Sequence, residues 1–280
     1  MSSSPLVDLV APDGARVQIS LQGGHLLSWK PAGAPEQLYL SPRSEFTPGK
    51  AIRGGVPVCF PQFAERGTLP KHGFARTALW ELVSQDQGKD DALAVLRLKD
   101  SEATRAIWPH AFELELSVRV SGRTLDIELA CEHTGQPDDA PLQFTTALHT
   151  YLRVGDLDAV SVEGLAGLRY FDSVKQTEAL QRMDLLLTGE KGVLDLDRIY
   201  FGVKERPLVV TEDRRQVVFA HQGFDDAVVW NPGPERCAQL ADMPAEGWSE
   251  MLCVEAANVG RPIELQPGES WVGRQSLQLL

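Results

Sequence analysis

Two short segments, Arg53-Gly54-Gly55-Val56-Pro57 and Lys71-His72-Gly73-Phe74-Ala75-Arg76, gather three cations, one imidazole and three glycines. An Arg guanidinium is a planar fork of donors that matches a carboxylate or phosphate through two parallel bonds. Glycine lets backbone approach a ligand closely, and proline stiffens that approach. The pattern suits a rigid cradle for a small anion. It equally suits two loops tied by surface salt bridges.

A second set of residues has the makings of proton transfer. His149 lies in the apolar, β-prone run Thr145-Thr146-Ala147-Leu148-His149-Thr150-Tyr151-Leu152, and Glu255 directly follows Met251-Leu252-Cys253-Val254. A carboxylate at the end of a buried strand is costly unless it is paired or used. If both strands line one face, His149 and Glu255 form an acid–base pair. At ordinary pKa values near 6.5 and 4.3, the Glu is a ready base at neutrality and the imidazole can hold or release a proton. Alternatively, His149 bonds a neighbouring backbone group and Glu255 pairs with an Arg. Asp197 can accept from a substrate hydroxyl or sit solvated in a loop. Asn231, in Trp230-Asn231-Pro232, can contact the same substrate or start a turn.

The six histidines are His25, His72, His110, His133, His149 and His221. No two stand at H-x-H or H-x-x-x-H spacing, so no metal site is assigned. His133 and His221 read as surface or loop residues, His110 as packed beside Trp108-Pro109, and His25 as lining a pocket or filling a bend. The four cysteines form no C-x-x-C pair and read as reduced. Six tryptophans offer faces on which a sugar ring could stack, although most read as core.

The elements that must hold these groups are strands. Val17, Ile19 and Leu21 alternate with polar residues, as do Phe112 to Val120 and Leu125 to Cys131. Each pattern is that of a half-buried antiparallel strand. Ser121-Gly122-Arg123 reads as the hairpin connection between the last two. Ser270 to Leu280 reads as another strand after Gln266-Pro267-Gly268. Val228-Val229-Trp230 and Met251-Leu252-Cys253-Val254 read as strands covered on both faces. Helical signal is confined to residues 100–108 and 176–187, and no linker or repeat divides the chain. Many short strands punctuated by Gly and Pro predict an all-β sandwich spanning residues 1–280 as one domain.

With 280 residues and 43% apolar composition, the chain can fill a substantial core. A net charge of −12, from 27 basic and 39 acidic residues, disfavours nucleic acid and anionic lipid as partners. A phosphorylated ligand would then need local positive charge, and Arg53 and Arg76 supply it. No basic leader and no apolar run of about 18 residues is present, so a cytoplasmic protein is expected.

Read in order, these segments resemble the hexose-6-phosphate mutarotase family, also called glucose-6-phosphate 1-epimerases, within the galactose-mutarotase-like fold. The matching pieces are Gly23-Gly24-His25-Leu26-Leu27-Ser28-Trp29, Ile52 to Pro57, Phe60-Pro61-Gln62-Phe63, His72 to Arg76, Thr104-Arg105-Ala106 with Trp108-Pro109, Leu148 to Tyr151, Asp197-Arg198-Ile199-Tyr200, Trp230-Asn231-Pro232 and Cys253-Val254-Glu255. The resemblance implies a large antiparallel β-sandwich with few short helices and a site on its concave face. It implies interconversion of the α and β anomers of aldohexose 6-phosphates, glucose 6-phosphate foremost, with no cofactor. It implies His149 as general acid, Glu255 as general base, Arg53 and Arg76 on the phosphate, and His72 and Asp197 on sugar hydroxyls. Lys71 stands where Gln is expected and adds a third cation, and Ala256 stands where Pro is usual. The competing readings are a mutarotase for unphosphorylated hexose, a non-catalytic carbohydrate-binding sandwich, and a regulatory protein that retains the scaffold.

Overall fold

The computed structural model describes residues 5–187 and 195–280. The predicted alternations become antiparallel strands. Phe112–Ser121 and Thr124–His133 pair through the two-residue turn Gly122-Arg123, with Gly122 at φ +54°. Such tight turns need positive φ, which glycine adopts without a Cβ clash.

Two large antiparallel sheets carry the fold. One has nine strands in the order Leu185–Leu186, Val160–Glu163, Leu208–Glu212, Arg215–Gln222, Ser270–Leu279, Thr124–His133, Phe112–Ser121, Ala92–Lys99 and Glu81–Gln87. The other runs Thr177–Leu180, Arg169–Asp172, Leu196–Phe201, Asp226–Asn231, Met251–Leu265, Leu142–Leu148 and Val58–Cys59. Its eighth strand, Tyr151–Arg153, also pairs with Met251–Leu265. A three-stranded sheet of Leu6–Val10, Arg16–Ser20 and His25–Lys30 completes the described strands.

One hydrophobic core fills the space between the large sheets. Leu116, Ile127, Leu129 and Leu277 come from one side, and Phe144, Leu148, Leu252 and Val254 from the other. Burying such side chains stabilises by about 1.5–3 kcal/mol each. Along Met251–Leu265, Leu252, Val254 and Ala256 join this core, while Met251, Cys253 and Ala257 belong to clusters on the opposite face. The period of two therefore sends the odd-numbered residues, Glu255 among them, to the outer face of the eight-stranded sheet.

The helix expected near 100–108 is present as Glu102–Ile107, with Ser101 and Thr104 bonding each other's backbone at its start. The helical composition of 176–187 gives strands instead, Thr177–Leu180 and Leu185–Leu186. Thr177–Leu180 satisfies its backbone at the sheet edge against Arg169–Asp172, and all four of its residues are exposed. No apolar period therefore marks it. His133 and His221 are not surface residues: each is only 1% exposed, within a strand of the nine-stranded sheet. Among the described residues, no helix is long and apolar enough to cross a membrane.

Candidate active site

The outer face of the eight-stranded sheet carries a hollow of about 860 Å³. Asp197 and Ile199, Val228 and Trp230, and Glu255 rise from three adjacent strands, as their register dictates: Asp197 is opposite Trp230 and Val228 is opposite Glu255. Leu148 pairs with Ala256 and Tyr151 with Cys253, which leaves His149 directly across from Glu255. Cross-strand neighbours on one face come within contact distance. His149 Nδ1 lies 3.4 Å from Glu255 Oε1.

Both side chains are buried, His149 at 8% and Glu255 at 1% exposure, and both line the hollow. His149 Nδ1 and both Glu255 oxygens have no hydrogen-bond partner among the described residues. Burial pushes the Glu255 carboxyl well above its usual range, with Asp197 adding to the effect. Burial holds the imidazole of His149 well below its usual value, with His72, Arg53 and Arg76 lowering it further. Both shifts act toward the neutral forms, imidazole and carboxylic acid, and away from the ionised Glu255 that ordinary pKa values give. A neutral couple still holds one transferable proton between two polar atoms. The protons of such a pair belong to the couple, not to either residue.

Aromatic rings fix the imidazole. Tyr151 stacks on it at 4.9 Å between centroids and 11° between planes, and Trp230 meets it edge-on at 5.8 Å. His72 sits 5.5 Å away, ring to ring. Its Nδ1 accepts the Ala64 N–H at 3.2 Å, so the proton of the neutral ring is on Nε2. Burial, then Arg76, lowers the His72 pKa to about 3, which makes it a neutral donor. Its backbone stands at φ +61°, a strained conformation for a residue with a Cβ, followed by Gly73 at +66°.

The cationic rim of the hollow is built largely on loops. His25 Nε2 donates to Gly54 O at 2.7 Å beneath the Arg53 turn, so His25 fills a bend and does not line the hollow. A Cβ on Gly55 would meet Leu26 O at 2.0 Å, which requires glycine at this approach. Arg53, Arg66, Lys71, Arg76 and Arg236 all line the hollow, beside the acids Glu65, Asp197, Asp242 and Glu255. Arg53 is committed: Nε and Nη2 meet Asp242 at 3.2 Å each, and Nη1 donates to Tyr151 OH at 3.1 Å. Arg76 donates from Nη2 to Lys71 O, while its buried Nε has no partner among the described residues. Asp197 lies 3.7 Å from Arg236.

Arg53, Lys71, His72, Arg76, His149, Asp197 and Glu255 thus share one hollow. Asn231 does not join them. It is fully buried, Nδ2 donates to Trp248 O and Met251 O, and Oδ1 accepts from Gly233 N. Its amide is spent on the turn, so it is withdrawn as a substrate contact. Arg66, Tyr151, Arg236 and Asp242 also line the hollow and were not singled out from the sequence. Only Tyr151 carried a signal, two residues from His149 on the same strand face. His149, Cys253 and Glu255 also bring one potential ligand atom each to within 4.8 Å of one another. Burial raises the Cys253 thiol well above its usual value, and a thiol is a poor metal ligand.

A large antiparallel sandwich with a buried imidazole–carboxyl couple beneath a cationic rim defines the class: the chain belongs to the aldose 1-epimerase family, whose profile matches residues 5–278. Within it, the chain is 41% identical over 258 residues to an Escherichia coli K12 protein named "Putative glucose-6-phosphate 1-epimerase", covering 90% of this chain and 83% of that one. A Cenchrus ciliaris protein of the same name is 36% identical over 274 residues, covering 94% and 82%. A solved structure from Salmonella typhimurium, described as a "putative mutarotase", superposes with a TM-score of 0.88 at 32% identity, over 100% of this chain and 91% of that one.

Proposed function

We propose that this protein interconverts the α and β anomers of aldohexose 6-phosphates, glucose 6-phosphate foremost, by acid–base ring opening and closure. The observation that carries the reading is the His149–Glu255 couple: buried, 3.4 Å apart, with Nδ1 and both carboxyl oxygens lacking a hydrogen-bond partner among the described residues, and open to a hollow rimmed by five cations. Family membership supplies the reaction class. The names borne by the relatives support the phosphorylated substrate.

With substrate bound, the reactive arrangement of the couple is imidazolium and carboxylate, which holds the same number of protons as a neutral imidazole beside a carboxylic acid. Glu255 takes the proton of the C1 hydroxyl. His149 protonates the ring oxygen, the C1–O5 bond breaks, and the aldehyde forms. Rotation about C1–C2 presents the other carbonyl face, and the reverse transfers close the ring as the opposite anomer. Only protons move, so the chemistry needs no cofactor. His72 Nε2 and Asp197 meet sugar hydroxyls. Arg76 and Lys71 hold the phosphate, joined by Arg53 as it turns from Asp242. Remote binding of this kind holds the reacting end against its acid and base. The acidic net charge argues against a nucleic-acid partner, and the same proposal places the protein in the cytoplasm.

Arg53's bond to Asp242 favours a second reading, in which the substrate is unphosphorylated hexose. Exchange between anomers, read by NMR saturation transfer with glucose 6-phosphate and glucose side by side, decides between them. Faster exchange with the phosphate at equal concentration is expected, together with loss of that preference in Arg76→Ala. Equal rates for both sugars favour the second reading, and no exchange with either overturns both.

A further inference from the structure

The strand register around the couple contains one defect. With Leu148 opposite Ala256 and Tyr151 opposite Cys253, Thr150 stands opposite Val254. A regular antiparallel ladder at such a site exchanges two N–H···O bonds. Only one is made, from Val254 N to Thr150 O at 3.1 Å. The Thr150 N–H turns back to Leu148 O at 3.0 Å, which kinks the chain at His149-Thr150 and leaves Val254 O without its ladder donor.

Gln275 fills the vacancy from the other sheet. It lies on Ser270–Leu279 and is fully buried. Its Nε2 donates to Val254 O at 3.1 Å, and its Oε1 accepts from Thr150 Oγ1 at 2.5 Å. The Val254 carbonyl permits only this amide orientation, because an acceptor needs a donor. Its other neighbour, His221 Nε2 at 3.5 Å, is a neutral imidazole, its pKa lowered to about 4 by burial. Thr150, Val254 and Gln275 thus close a ring of three hydrogen bonds. Thr150 is next in sequence to His149, and Val254 to Glu255. Buried networks with every member satisfied rigidify what they join.

We propose that Gln275 is a positioning residue for the acid–base pair: it restores the hydrogen bond that the kink withdraws from Val254, and so sets His149 against Glu255. This rests on the assignment of that pair above. Gln275 touches no part of the hollow, so it acts on geometry alone. A misplacement of about 1 Å at reacting groups can cost about a hundredfold in rate.

The test compares Gln275→Met, of similar shape without the amide, with Thr150→Val, Thr150→Ser and their combinations, using glucose 6-phosphate exchange. Leu129→Ala, a core truncation in the sheet that carries Gln275, is the control for lost stability. Gln275→Met and Thr150→Val should each lower kcat about tenfold or more with KM within about twofold, because the phosphate contacts lie elsewhere. The double variant should lose no more than the worse single one, as expected of one shared unit. Thr150→Ser keeps the hydroxyl and should keep the rate. Should Gln275→Met not fold, the Thr150 pair carries the comparison. Undiminished kcat in Thr150→Val, or a loss no greater than in Leu129→Ala at matched distance below the melting temperature, overturns the proposal. Normal exchange in Glu255→Gln would instead overturn the pair assignment, so the two failures are distinguishable.

Discussion

Arg53 and Asp242 are joined fork to carboxylate, Nε to Oδ1 and Nη2 to Oδ2 at 3.2 Å each, across 189 residues of chain. The pair occupies the arginine surface that a phosphate would take. An arriving dianion must displace Asp242 or use the remaining N–H groups beside a negative charge. Asp242→Asn should therefore lower KM for glucose 6-phosphate several-fold, about threefold to tenfold, and leave KM for glucose unchanged. That range corresponds to the energy of a partly exposed ion pair, about 1 kcal/mol. A raised KM for the phosphosugar would mean that Asp242 aims Arg53 and does not compete for it.

Glu255 carries a stability cost along with its proposed role. Neither Glu255 oxygen has a hydrogen-bond partner among the described residues, and a buried carboxyl in that position is expensive in either protonation state. Glu255→Gln keeps the shape and removes the ionisation. Exchange should fall by about 10²–10⁴, the range for a lost acid or base. The folded state should gain about 1–3 kcal/mol at neutral pH, visible as a higher melting temperature. Parallel denaturation and exchange measurements would expose the assignment as wrong if activity survived or if stability dropped.

Much of this architecture was legible because burial on one face imposes a period of two. Phe112 to Val120 and Leu125 to Cys131 locate two central strands within two residues of their observed ends. The same period, carried one step further, places His133 inside after Cys131, and His221 inside after Val217 and Phe219; loop chemistry was the wrong principle for both. The exposed strand Thr177–Leu180 left no such trace. His149 and Glu255 stood out because a polar group ending an apolar run must be satisfied or used. Asp242 and Arg236 did not, since an ion pair formed between distant loops has no local pattern. The direction in which the couple's pKa values shift was also hidden, because it is set by burial that only the assembled fold creates.

Bound phosphate should alter the couple from a distance. Among the causes that depress the imidazole of His149, burial is the largest, followed by His72, Arg53 and Arg76. An anion held by the two arginines cancels their field, so the His149 pKa should rise when inorganic phosphate binds. Ring-carbon NMR shifts of His149, titrated with and without phosphate, read this directly. The acid limb of kcat should correspondingly lie at higher pH than that of kcat/KM, since the first reports the complex and the second the free enzyme. Coincident limbs and an unmoved titration would detach the cationic rim from the acid.

Acid should unfold this protein early. Burial lowers His25 and His221 to about 4 and His72 to about 3, and holds His149 well below its usual value. In the unfolded chain all four take up protons near pH 6.5. Their contribution to stability is complete above that pH and is lost as pH falls toward the folded values. Glu255 acts in the opposite sense, because its raised pKa makes the folded state bind a proton that the unfolded state has released. Its contribution is present below the ordinary carboxyl pKa and lost as pH rises. Between about pH 6 and 4.5, the unfolded chain takes up about three protons, at His25, His72 and His221, that the folded chain does not, and through these three stability should fall by about 4 kcal/mol per pH unit. His221→Gln should flatten that slope by about a third while leaving the hollow untouched. Thermal unfolding at pH 7, 6 and 5 measures it, and a melting temperature that holds steady or climbs on acidification would refute the burial of these imidazoles as neutral groups.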